Sequence, residues 1–328
     1  MADIVLGVAT SHTPQTSVSW EHWPDLNKTD TVGPAVPADL EERLKPEVHK
    51  RQHRAAQEAI RKLSQVLQGT KDLDAIIIFG DDQHEQFLDE NLPALAVYHG
   101  DVVPIVQRVP RPNTPSWAAF ESAGWEHTRP EYPGCSSLGT HLIESLTEQE
   151  FEVARCSQLR EGEGIGHAFS FLYRRLWPNC PVPIVPVMIN TFYPPNQPSP
   201  GRCYALGQAV ANAVKEWKDG SRVAIMASGG LSHIVMDEFV DRETLDGLRA
   251  HDVHRLTSLP RERLTGGTSE ILNWVALAGA VGPMEMTLID YIPGYRSRPG
   301  TGCAMGFAYW NWARESLLRI AGVAHHVR

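Results

Sequence analysis

No apolar run in this sequence is long enough to span a membrane. The longest stretches, such as residues 75–79, are strand-sized, whereas a spanning helix needs about 20 apolar residues. The opening Met1-Ala2-Asp3 and the short β-branched run behind it lack the basic region and apolar core of a signal peptide. Cysteine is scarce: Cys135, Cys156, Cys180, Cys203 and Cys303 are odd in number, scattered and free of any Cys-x-x-Cys pair. That pattern speaks against a disulfide framework and a structural zinc knuckle, and suits a reducing cytoplasm. Lys/Arg blocks are absent and the formal net charge is -9, which excludes nucleic acid as the expected partner. Neither Gly-x-Gly-x-x-Gly nor a P-loop occurs, and there is no Gly-x-Ser-x-Gly elbow of a serine α/β-hydrolase. What is present is ordinary globular composition over 328 residues, undivided by repeat or linker, and read here as one domain over residues 1–328. The fourteen histidines are the unusual feature.

Apolar patterning alternates between strand-like and helix-like segments. Residues 3–9, 74–80, 94–98, 102–109, 153–155, 184–189 and 222–227 read as strands. Residues 40–68, 141–146, 167–176 and 202–217 read as helices, the first through Ala55, Ile60, Leu63, Val66 and Leu67 at helical spacing. The continuous β-branched run at 74–80 suits a strand covered on both faces. The prolines around 184–189 suggest an edge or strand-end position. Residues 17–36, rich in Trp, Pro and Asp, read as a long surface excursion. The alternation predicts an α/β fold, a mostly parallel sheet with helices on both faces. In such folds ligands bind beyond the carboxyl ends of the strands.

Three histidines stand in that position: His12 after the first strand, His84 after 75–79 and His233 after 223–227. In parallel strands they converge on one edge of the sheet. Two histidines and a carboxylate make the face on which non-haem Fe(II) oxygenases leave open coordination positions. Glu270 opens an apolar helix and is one candidate carboxylate, although a first-turn glutamate is also favoured by the helix dipole alone. Asp237 and Glu238 stay open beside it. His49 and His53 share a helix face, but the glutamate of His-Glu-x-x-His is missing between them, and their basic neighbours suggest a solvated face. His251 and His254 read as surface residues.

Gly7-Val8-Ala9-Thr10-Ser11-His12-Thr13-Pro14, Gly80-Asp81-Asp82-Gln83-His84-Glu85-Gln86-Phe87 and Gly229-Gly230-Leu231-Ser232-His233 resemble the class III extradiol ring-cleaving dioxygenases. This is the superfamily of the protocatechuate 4,5-dioxygenase β subunit. Gly164-Ile165-Gly166-His167, Asn190-Thr191-Phe192-Tyr193-Pro194-Pro195 and Ser269-Glu270-Ile271-Leu272-Asn273-Trp274 follow in the family's order. The block at 80–87 and the ending 300–310 are most similar to the 3-O-methylgallate 3,4-dioxygenase branch. The resemblance implies a three-layer α/β/α sandwich around a mixed, mostly parallel sheet. It further implies Fe(II) held by His12, His84 and Glu270, with His233 and His167 as acid–base residues beside the iron. The implied substrates are O2 and a carboxylated catechol. For the carboxylate, Arg298 and Tyr295 in the Gly/Pro-rich C-terminal segment are the expected contacts, with Thr13 touching a further ring oxygen. A metal-dependent hydrolase on the same fold and a non-catalytic binding member are the alternatives. A homodimer is left open, the aromatic stretch 309–312 reading as core rather than as a dimer surface.

Overall fold

The structure, a computed structural model, describes residues 1–26, 33, 36–107 and 123–312. Its strands are β1 (Asp3–Thr10), β2 (Ala75–Gly80), β3 (Leu95–Tyr98), β4 (Val102–Pro104), β5 (Glu131–Pro133), β6 (Ala154–Cys156), β7 (Ile184–Ile189), β8 (Arg222–Ser228), β9 (His233–Val235), β10 (Glu285–Tyr295) and β11 (Thr301–Asn311). The principal helices are α1 (Pro46–Gly69), α2 (Ser136–Glu148), α3 (His167–Phe171, running on as a wider π turn over Leu172–Leu176), α4 (Pro200–Glu216), α5 (Glu238–Ala250) and α6 (Ile271–Val281). The main sheet runs β10-β11-β1-β8-β2-β7-β3-β6, with β9 paired to β11, while β4 and β5 form a separate ribbon. The central neighbours β1, β8, β2 and β7 are parallel; β10, β11 and β9 add an antiparallel end. This is the expected mixed sheet with helices on both faces.

Side-chain alternation along the central strands explains their continuous apolar runs. Ala75, Ile77 and Phe79 of β2 join the core under α4 and α6, while Ile76 and Ile78 join the core under α1 and α3. β8 divides in the same way, Val223, Ile225 and Ala227 against Ala224 and Met226. α1 turns Ala56, Ala59, Ile60, Leu63 and Leu67 into its core. Every residue of α6 is buried, as expected of a helix apolar on all sides.

Some expectations change. The helix read over residues 40–68 is two: a single turn at Leu40–Arg43, then α1 from Pro46. Proline fits the first turn of a helix but cannot continue one already running. β7 is interior rather than an edge, between β2 and β3. Pairing with β3 stops at Val187, so no ladder partner stands opposite Pro186 on that side. The segment at 17–36 is partly anchored, because Trp23 is wholly buried and packs on His49; residues 27–32 and 34–35 lie outside the described residues, as do 108 and 109 of the strand read at 102–109. His49 is buried, not solvated, and its Nε2 donates to the Tyr295 carbonyl (2.9 Å). In the 309–312 stretch, Trp310 is core and Trp312 bonds the Ile4 carbonyl. Among the described residues no helix is long and apolar enough to cross a membrane.

Candidate metal centre

β1, β8 and β2 are adjacent and parallel, so the segments leaving their carboxyl ends meet at one place. α6 grips the exit of β8, with Asn273 Nδ2 donating to the Ser228 carbonyl (3.1 Å) and Trp274 Nε1 to the Gly229 carbonyl (2.9 Å). This contact brings Glu270, at the head of α6, beneath the strand ends. Gly229 has φ +139°, and a Cβ there would lie 2.8 Å from Glu270 Oε2, so backbone and carboxylate fit only with glycine.

His12 is buried and held in one tautomer. The Ser228 hydroxyl donates its single hydrogen to the Ala168 carbonyl, so at His12 Nδ1, 3.0 Å away, it can only accept. Nδ1 therefore carries the proton and the Nε2 lone pair points inward, 3.3 Å from Glu270 Oε2 and without a hydrogen bond. Burial lowers the pKa of His12 despite the nearby Glu270 carboxylate, which keeps the ring neutral. Glu270 is wholly buried; its Oε2 accepts from the Gly230 amide (2.7 Å), and its Oε1 lies 3.0 Å from Gln83 Nε2 and 3.2 Å from His233 Nε2. Burial alone would raise its pKa, but the charged His233 beside it outweighs burial and holds the carboxyl well below its usual range.

His233 donates Nδ1–H to the Leu231 carbonyl (2.8 Å), leaving Nε2 towards the site. Its loop is clamped by Asp241, which accepts from the Ser232 amide and hydroxyl (2.7 and 2.8 Å). Burial opposes charge on His233, but Glu270 overrides it and raises the pKa to about 10. His167 heads α3. Its amide and its Nδ1 both bond Glu85 Oε1 (2.9 Å each), and its ring meets His12 edge-on with centroids 4.6 Å apart. Burial again opposes charge and Glu85 overrides it, giving about 9. Asp81, fully buried beyond β2, receives Gln83 Nε2 at Oδ2 (2.9 Å) and has no partner at Oδ1. Burial, with Glu270 nearby, raises it to about 7.

His12, Asp81, His167 and Glu270 each offer one ligand atom, all within 4.8 Å of one another. An inward-facing imidazole lone pair, an unpartnered buried carboxylate oxygen and two anchored neighbours are the donor set a divalent metal requires. His84 stands outside this group. Its backbone is left-handed (φ +56°), its ring stacks on Tyr193 at 3.8 Å, and its Nε2 lies 3.2 Å from Asp89. Asp237 caps α5 and pairs with Arg263, and Glu238 pairs with Arg43, so neither competes with Glu270. Thr13 is buried with an unpartnered hydroxyl. The Tyr295 hydroxyl is spent on Glu238 (3.0 Å). Arg298 is 80% exposed and pairs with Glu41 on the surface, a poor place for a group meant to reach a buried site. Asp81, Gln83 and Glu85 were not singled out in the sequence, although they sit in the block that contains His84.

An α/β sheet whose strand ends carry buried histidines and carboxylates defines a metal-site class of protein. Comparison with known proteins gives the family: residues 36–291 match the catalytic LigB subunit of aromatic ring-opening dioxygenase, and the chain belongs to that family. It is 32% identical over 166 residues to a gallate dioxygenase of Pseudomonas putida. That alignment covers 46% of this chain and 47% of the relative, so the match spans about half the length of either.

Proposed function

We propose that this chain is a non-haem Fe(II) extradiol dioxygenase that opens the ring of a carboxylated catechol of the gallate, protocatechuate or 3-O-methylgallate type, incorporating both atoms of O2. The observation that carries this reading is the His12–Glu270 pair: a histidine fixed with its Nε2 lone pair inward, against a buried, ionised carboxylate. These two would hold the metal, with Asp81 Oδ1 as the third donor. His84, the third ligand implied by resemblance, would have to leave its stack on Tyr193 to reach the same point. Bound Fe(II) would supply a common meeting point for the catecholate and O2 and relay an electron between them.

The chain's own groups handle protons and position. With its Nδ1–H spent on Leu231 and its pKa raised to about 10 by Glu270, His233 stands protonated and acts first as an acid, giving its proton from Nε2 and taking a phenol proton back there. His167, fixed through Nδ1 to Glu85, presents Nε2 as the second proton carrier. Burial of the cluster excludes water that would otherwise compete for these protons. The test is anaerobic loading with Fe(II), then an oxygen-electrode assay with gallate, protocatechuate and 3-O-methylgallate. Stoichiometric O2 uptake and a ring-opened product heavier by one O2 are expected. Substrate loss without O2 uptake would mean a hydrolase instead.

A further inference from the structure

Arg296, two residues before the exposed Arg298, is a buried cation. It is 3% exposed, in the turn between β10 and β11, with its amide bonded to the Thr301 carbonyl (2.9 Å). Nη1 is anchored from two sides, 3.2 Å from Gln15 Oε1 and 3.5 Å from Cys303 Sγ. Both anchors lead to the metal cluster. Gln15 lies three residues from His12, and Cys303 pairs directly with His233 across β11 and β9. Directly opposed side chains sit about 5 Å apart, so Cys303 neighbours both His233 and the guanidinium. The remaining nitrogens, Nε and Nη2, are buried and have no hydrogen-bond partner.

Nε and Nη2 form one edge of the guanidinium, with two parallel N–H bonds at the spacing of the two oxygens of a carboxylate. A buried cation with an unpaired donor edge is costly, and an arriving anion removes that cost. Cut off from water, the pairing is little weakened by solvent. We infer that the free Nε–Nη2 edge of Arg296 takes the carboxylate of the aromatic substrate in a bidentate pair, and so selects acidic over neutral catechols. This rests on the catechol reading above for the substrate, although the anion-binding edge is testable without it.

Two measurements separate the two readings. Calorimetric titration of the full chain as purified with benzoate, which has the carboxylate but cannot chelate a metal through catechol oxygens, reads the edge alone. Saturable binding is expected, weaker in Arg296→Met by roughly 10- to 150-fold, the range for a charge-assisted hydrogen bond. With Fe(II) loaded, the kcat/KM ratio of gallate over pyrogallol, which lacks the carboxylate, should fall by a similar factor and recover only partly in Arg296→Lys. Thermal melts establish that each variant is folded; if the Met variant is not, Arg296→Lys carries the test through the same selective loss. Equal losses on gallate and pyrogallol, benzoate binding indifferent to Arg296, or a larger selective loss in Arg298→Ala would each overturn the assignment. If neither catechol is turned over but benzoate binding depends on Arg296, the dioxygenase reading fails and the anion site stands.

Discussion

Gly267→Ala tests whether the position of His233, rather than its mere presence, carries proton transfer. Gly267 lies against the imidazole: a Cβ there would overlap Cδ2 and Nε2 and sit 2.8 Å from Cγ. The ring cannot give way slightly, because Nδ1 is tied to Leu231 (2.8 Å) and the His233 amide to Thr268 Oγ1 (3.3 Å). It must swing out and lose both the Leu231 and Glu270 bonds. The strain should cost about 1–3 kcal/mol of stability, as over-packing does. Removing the acid–base group from place should lower kcat by roughly 10²–10⁴-fold, or about 3–5 kcal/mol on the barrier. The iron stoichiometry should hold, since the overlap spares His12, Asp81 and Glu270. The double variant Gly267→Ala/His233→Ala should be no slower than His233→Ala alone, because with the ring gone the methyl meets nothing there. Turnover within a few-fold of wild type in Gly267→Ala, or additive losses in the double variant, would refute the reasoning.

Ser228→Ala removes the acceptor that fixes the His12 tautomer, and metal affinity measured by competition with a chelator should drop roughly 10- to 100-fold while the melting profile stays cooperative. Iron content divides the two readings of the turn after β2: Asp81→Ala should purify with little iron and His84→Ala with nearly a full complement, and the reverse result would return the third ligand to His84. Away from the cluster, burial holds His49 below its ordinary pKa, although its bond to the Tyr295 carbonyl opposes the shift. The unfolded chain then takes up a proton near pH ~6.5 that the native chain refuses, so this histidine withdraws stability as pH falls through ~6.5. Urea midpoints between pH 8 and 5 should decline less in His49→Gln, whose amide can still donate to Tyr295; parallel declines would exclude the effect.

Local pattern carried the central strands into view. β2, β7 and β8 are predominantly apolar runs buried on both faces, and such runs declare themselves without reference to partners. The convergence of His12 and His233 was legible for the same reason, since both follow such strands by a few residues. β10 and β11 were not legible, although each has 11 residues. Pro293 and Gly294 interrupt the one, Gly302 and Gly306 the other, and it is pairing, of β10 with β11 and of β11 with β1 and β9, that makes them strands. Nothing in the pattern at 295–298 tells the buried Arg296 from the exposed Arg298, because burial at the end of β10 depends on the pairing of β9 and β11 beside it.

The block at 80–87 holds two polar sets that face different ways. Asp81, Gln83 and Glu85 turn inward, to the cluster, to Glu270 and to His167 respectively. Asp82 instead closes the turn, accepting the amides of Gln86 (2.8 Å) and Phe87 (3.0 Å), and His84 lies outside against Tyr193. The chain bends here rather than running extended, with a left-handed backbone at His84 (φ +56°). Residue type favours the set containing histidine; the packing in this structure turns the other towards the cluster. A histidine preference ranks residues by what they do once at a metal, whereas the backbone decides which of them face the cluster, and in this turn the two criteria diverge. The inward set is one carboxylate that can bind, one amide that bridges two carboxylates, and one carboxylate that fixes a histidine from another element. The turn's contribution is therefore chiefly to organise groups brought from β1, α3 and α6, and its sequence reads correctly only when those are present.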